Sequence, residues 1–246
     1  MAYPLSIAFV WHMHQPYYRN LLTGECSMPW VRLHATKDYV DMVKRLELFP
    51  AIHQTFNLVP SLLDQLNAYL QETVPAAAAA GSRIMPASDT FLDHSRTPAE
   101  ELSEDAQRFL LQWFFLANTE QMIKPYPRYH DLLMKRGLQV PPDAWPAIQK
   151  RFKTQEYLDL QVWFNLAWID PWLRSQDPEL EQLEAKGSHF TEHDKQTVLH
   201  AHRQLIAQVI PLYRQAAARG QIELTTSAYH LPIMPLLCDL RAAHVD

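Results

Sequence analysis

Only five glycines are spread through the 246 residues, and no glycine-rich loop that could cradle phosphates is among them, which argues against nucleotide chemistry. Cysteine is scarcer still. Cys26 and Cys238 lie far apart and make no disulfide framework, so a reducing compartment is expected. Lysine and arginine form no run, and the formal charge is -5. A nucleic-acid partner demands a basic footprint, so none is expected. No stretch approaches the ~20 apolar residues of a membrane span. The amino terminus lacks a basic segment, and its apolar run is broken by His12 before any small-residue cleavage site. Internal repeats and local signatures of Ser-His-Asp or Cys-His catalysis are missing too. These absences predict a soluble cytoplasmic protein without a membrane partner or a cofactor, acting on an uncharged ligand.

Apolar residues, by contrast, are plentiful at 48%, with seven Trp, ten Tyr and ten Phe. A chain of this length can bury a large core as one domain or two. Its most informative stretch is Leu5-Ser-Ile-Ala-Phe-Val-Trp-His-Met-His-Gln-Pro-Tyr-Tyr18. Ile7, Phe9 and Val10 read as a buried strand, which then delivers His12, His14 and Gln15 before Pro16 ends any ladder. Polar groups at the carboxyl end of such a strand occupy the face where parallel α/β proteins place their chemistry. His12 and His14 are two apart and point the same way on a strand. That suits a metal pair, a sugar-binding pair, or two histidines satisfied by backbone carbonyls.

Residues Tyr17 to Arg32 read as a long loop containing Gly24, Pro29 and Trp30. The apolar spacing of Tyr39, Val40, Val43, Leu46 and Phe49 predicts a helix over His34 to Phe49, stopped by Pro50. Ala51 to Leu58 predicts a second strand with Asn57 at its carboxyl end, and Pro60 starts a second amphipathic helix. Strand, helix, strand is the unit of a parallel sheet. Pro75 to Ser103, with five consecutive alanines, predicts a surface excursion or insertion. Helices punctuated by proline follow from Glu100 to about Ala217, and their aromatic clusters, such as Trp113-Phe114-Phe115 and Trp163-Phe164, suit core packing. A long helix over Glu192 to Arg219 ends at Gly220. Gln221 to Thr226 alternates strictly, which puts Glu223 and Thr225 on one face of a third strand. An interior Glu223 needs a partner, whether in a structural ion pair or in a site. His230 follows that strand closely.

Three stretches, Trp11-His-Met-His-Gln-Pro16, Thr55-Phe-Asn-Leu-Val-Pro-Ser-Leu-Leu63 and Gly220-Gln-Ile-Glu-Leu-Thr225, resemble the amino-terminal part of family 57 glycoside hydrolases. His14-Gln15-Pro16 is similar to the first signature of that family and Gly220-Gln221-x-Glu223 to the second. Val31-Arg-Leu-His-Ala-Thr-Lys-Asp38 and Tyr229-His230-x-Pro232 add to the likeness. The resemblance implies an α/β fold, a TIM-like (β/α)7 barrel of which residues 1–246 are the first part, with a helical insertion at about 75–190. It also implies retaining chemistry on α-glucans or maltooligosaccharides, as in an amylase, amylopullulanase, 4-α-glucanotransferase or branching enzyme. His14 and Glu223 are carried over as substrate-binding residues, with Asn57, His34, His230 and Gln15 as further contacts. Retaining chemistry needs a nucleophile and an acid about 5–5.5 Å apart. The family's third and fourth signatures supply that pair, and both carboxyl groups are expected beyond residue 246, so no catalytic residue is assigned here.

Two rival readings stand beside this one. A metal-dependent hydrolase could begin its zinc site with His12 and His14, although Gln15-Pro16 has no role in such a site. A non-catalytic glucan-binding or interaction module could instead use the aromatic helical region as its working surface.

Overall fold

The computed structural model describes residues 5–20, 22–71, 88–230 and 232–243. Five strands occur among them: β1 (Val10–Met13), β2 (Glu25–Cys26), β3 (Gln54–Leu58), β4 (Ser88–Asp89) and β5 (Ile222–Thr225). β1, β3 and β5 form a parallel sheet in that order, while β2 and β4 make a separate two-residue parallel ladder. The architecture is mixed α/β and mostly helical, with no closed barrel among the described residues.

Local chemistry sets most element ends. Val59 is extended and Pro60 opens the helix Pro60–Leu70 at a position where its missing N–H costs nothing. Asp89 accepts from the amides of Phe91 and Leu92 to start the helix Thr90–Arg96. Thr191 and Asp194 cap each other's backbone at the start of the long helix Glu192–Ala218. Gly220, at φ +73°, turns the chain out of that helix into β5.

The core lies mainly among the helices, and Met13, Phe56 and Ile222 join it from the sheet. In the helix Thr154–Ala167 every residue from Glu156 onward is buried, polar ones included, because each polar side chain has partners. Asp159 takes Arg128 Nε at 2.7 Å, and Gln161 Nε2 donates to the carbonyls of His94 and Thr97. Asn165 Oδ1 accepts from Arg32 Nη1 at 2.7 Å. Arg32 also reaches Asp89 at 3.2 Å and His202 Nδ1 at 3.3 Å, so one buried guanidinium ties the β4 end to three helices. Burial of such charges is tolerable only when they are paired in this way.

Several expectations are revised. The strand after Leu5 begins only at Val10 and is not buried: Ile7, Phe9 and Val10 are 71%, 52% and 67% exposed. β1 is an edge strand; the long helix packs on the face that carries Phe56, and Val10, His12, Glu223 and Thr225 on the opposite face are exposed. The expected loop over Tyr17 to Arg32 contains β2, and the following helix starts earlier than predicted, at Trp30. It runs Trp30–His34, passes through a π-helical turn Ala35–Tyr39 and continues Val40–Lys44. Of the excursion expected over Pro75 to Ser103, residues 75–87 lie outside the described residues. The remainder is integral to the fold, since Phe91 and Leu92 enter the core. Trp113 stays 41% exposed beside buried Phe114 and Phe115.

Candidate functional site at the strand ends

Register sorts the sheet residues into two faces, because partners across a parallel ladder point the same way and neighbours along a strand alternate. Trp11, Phe56 and Leu224 are in one row, and Phe56 meets the Tyr213 ring edge-on at 5.1 Å, so this row faces the long helix. Val10, Thr55 and Glu223 form the row before it, and His12, Asn57 and Thr225 the row after it. Both of these rows look out from the uncovered face.

The second outward row is joined by hydrogen bonds across all three strands. Asn57 Oδ1 lies 3.1 Å from His12 Nδ1 and accepts from Ser227 Oγ at 3.1 Å, while Asn57 Nδ2 donates to Thr225 Oγ1 at 3.2 Å. Because the Asn57 oxygen only accepts, the network places a proton on His12 Nδ1, and whenever the ring is neutral Nε2 is its acceptor. His14 is half-buried with its ring 5.6 Å from that of His12. Burial lowers its pKa from 6.5, and the charge of His12 lowers it further, which keeps His14 neutral at physiological pH.

Glu223 shares this face but is exposed rather than interior, and its nearest recorded partner is Thr55 Oγ1 at 3.4 Å. The carboxylate faces solvent, so the cost of burying it does not arise. Two strand spacings separate it laterally from β1, about 10 Å.

Gln15, His34 and His230 make their contacts outside this row. Gln15 donates to the Tyr39 hydroxyl and accepts from the Tyr18 hydroxyl, both at 3.0 Å, so its amide holds the turn after β1. Through Tyr39 it connects to His34, whose Nδ1 is 2.5 Å from Asp38 Oδ2 and whose ring contacts Trp30, Tyr39 and Trp168. His230 is exposed, edge-on to Tyr229 at 4.6 Å and to Tyr17 at 5.6 Å. The hydroxyls of Tyr17 and Tyr229 both donate to Asp64 Oδ2 at 2.9 Å. Sequence reasoning gave no site role to Asp64, Tyr17, Thr225 or Ser227. The only hint was that Tyr17 directly follows Gln15-Pro16.

A hollow of about 280 Å³ lies at the opposite, amino-terminal end of the sheet, lined by residues that include Phe9, His53, Thr55 and Glu223. The open hollow and the polar strand ends are thus different places that meet at Glu223. The strand ends carry the concentration of oriented polar groups, and we place the candidate site there. Among the described residues no group of three or more His, Cys, Asp or Glu side chains is placed to hold a metal ion. His12 and His14 offer two imidazoles, whereas a zinc site takes three or four protein ligands.

A parallel sheet that gathers imidazole, amide, hydroxyl and carboxylate groups at its ends, among aromatic rings, fits a carbohydrate enzyme. Comparison with known families decides the matter: the model of Glycosyl hydrolase family 57 matches residues 8–246. The chain belongs to glycosyl hydrolase family 57. Neither a curated protein nor a solved structure matches it significantly. Family membership brings glycosidic-bond chemistry and a glycan substrate with it. No helix among the described residues is long and apolar enough to cross a membrane.

Proposed function

We propose that this family 57 chain acts on α-glucans with retention of configuration, as an amylase, amylopullulanase, 4-α-glucanotransferase or branching enzyme, and that the carboxyl ends of β1, β3 and β5 contact the sugar. The single observation that carries this reading is the hydrogen-bonded row His12–Asn57–Thr225, extended by Ser227, on the uncovered sheet face. Such a row presents fixed donors and acceptors to neutral hydroxyl groups, which is what an uncharged polyol needs for orientation. His14, Glu223, Asn57, His34, His230 and Gln15 are its site residues, the last acting through the turn it holds.

Glu223 is the one carboxylate among the strand residues of that face, and a retaining mechanism takes two carboxyl groups about 5–5.5 Å apart. In this reading Glu223 stabilises positive charge developing on the sugar, and the nucleophile and acid come from further along the catalytic domain. The three parallel strands are then the first part of a TIM-like (β/α)7 barrel, with the helices up to about residue 190 as an insertion. Two free cysteines, one of them exposed, support a cytoplasmic setting. The test is an assay of maltooligosaccharides and amylopectin that follows disproportionation and new reducing ends. The 246-residue chain alone is expected to turn over neither, and a chain carrying further catalytic-domain sequence is expected to do so. Turnover by the 246-residue chain would overturn the assignment of the acids.

A further inference from the structure

The segments after β1, β3 and β5 converge on one carboxylate. Asp64 lies on the helix Pro60–Leu70 that follows β3, Tyr17 lies in the turn after β1, and Tyr229 lies after β5. Both phenol hydroxyls donate to the same oxygen, Asp64 Oδ2, at 2.9 Å each. The backbones are fastened separately. Gln65 Oε1 accepts from the Tyr18 amide at 2.9 Å, Gln65 Nε2 donates to the Pro16 carbonyl at 3.1 Å, and the Ser61 amide donates to the Tyr229 carbonyl at 3.2 Å. Asp64 is therefore not needed to hold the chain in place. What it holds is the direction of two rings.

We propose that Asp64 is a positioning residue that draws Tyr17 and Tyr229 together with His230 into a preset aromatic surface for an α-glucan at the carboxyl end of the sheet. This inference rests on the proposed glucan activity and deepens it. The surface is open, with Tyr229 44% exposed and His230 exposed beside it. Rings that present an apolar face with a polar edge match a pyranose, which offers C–H faces and hydroxyl rims. Fixing the rings beforehand removes ordering entropy from binding. The phenol pKa values follow the same geometry: burial raises both, and the hydrogen bond to Asp64 raises them further. The carboxylate also discourages an anionic ligand, which leaves a neutral sugar favoured over a phosphate ester.

The experiment uses the 246-residue chain and maltoheptaose as the probe, with histidine-resolved NMR and a spectrophotometric tyrosine titration. In the wild type, maltoheptaose is expected to shift the His230 signal saturably. Asp64→Ala should move that signal without sugar, lower the pH at which two tyrosines ionise, and weaken maltoheptaose binding about tenfold. Asp64→Asn keeps an acceptor oxygen and should lose about threefold. Tyr17→Phe and Tyr229→Phe each remove one hydroxyl and should each move the His230 signal, which keeps the test alive if Asp64→Ala does not fold. If maltoheptaose shifts His12 and His14 but leaves His230 silent, or if Asp64→Ala binds as the wild type does, the positioning role is wrong and the glucan reading stands. If maltoheptaose shifts no histidine, the glucan reading itself fails and takes this inference with it.

Discussion

Asn57 Oδ1 lies 3.1 Å from His12 Nδ1 across the ladder between β1 and β3, and Ser227 donates to the same oxygen. One amide thus fixes the tautomer of a histidine on the neighbouring strand. The equivalent position on β5 is held by the other end of the amide, through Thr225.

Replacing Asn57 by Leu keeps the branched shape of the side chain and removes all three contacts. We expect the His12 ring to populate both tautomers, read from its nitrogen chemical shifts. Glucan affinity should fall by about tenfold, the worth of one or two oriented hydrogen bonds. Wild-type affinity in that variant would show that the row is structural only.

Glu223 is the residue whose charge has the clearest chemical use. Glu223→Gln preserves shape and should lower α-glucan turnover in the active enzyme by about one to two orders of magnitude, with little change in melting temperature because the side chain is exposed. Unchanged turnover would return Glu223 to a surface role.

The alternation that places Glu223 with Thr225 was legible in the sequence, because a period of two is the direct signature of a strand. Pro60 and Gly220 marked helix ends for reasons of backbone chemistry alone. The exposure of Ile7, Phe9 and Val10 was not legible: an apolar run looks alike whether or not other elements pack over it, and only tertiary packing separates the two cases. The π-helical turn at Ala35–Tyr39 left no mark on the apolar spacing. Nor did Asp64, an acid on a helix that local pattern assigns to solvent, announce that two tyrosines from distant segments meet on it.

Stability should fall in mild acid through His202. This histidine is fully enclosed between Arg32 and the Asn165 carbonyl, and burial, reinforced by the guanidinium charge, lowers its pKa to about 3. The unfolded chain binds the proton first, so stability is full above pH ~6.5 and declines by up to about 1.4 kcal/mol per pH unit below it. Asp41 works in the opposite sense. Burial, with the neighbouring Asp170 charge, raises its pKa to about 6, and its contribution improves as pH falls through that value. The contribution of His202 is isolated by comparing denaturant unfolding of His202→Gln with the wild type from pH 7 to pH 4. The variant should be less stable at pH 7, having lost the ring's two partners, and its stability should depend less on pH. Parallel curves would refute the assignment.

Metal analysis separates the glucan reading from the zinc-hydrolase alternative. Protein purified without added zinc should carry far less than one metal per chain, and treatment with a chelator should leave maltooligosaccharide binding unchanged. Stoichiometric zinc lost together with binding would restore His12 and His14 as ligands.

The most direct test of the central claim is the position of a bound maltooligosaccharide in a crystal structure of this chain. A pyranose ring is expected at the carboxyl ends of β1, β3 and β5, within hydrogen-bond distance of His12 or His14 and of Asn57 or Glu223. Sugar seated only in the hollow at the amino-terminal end of the sheet, or only on the helices between residues 90 and 186, would contradict it.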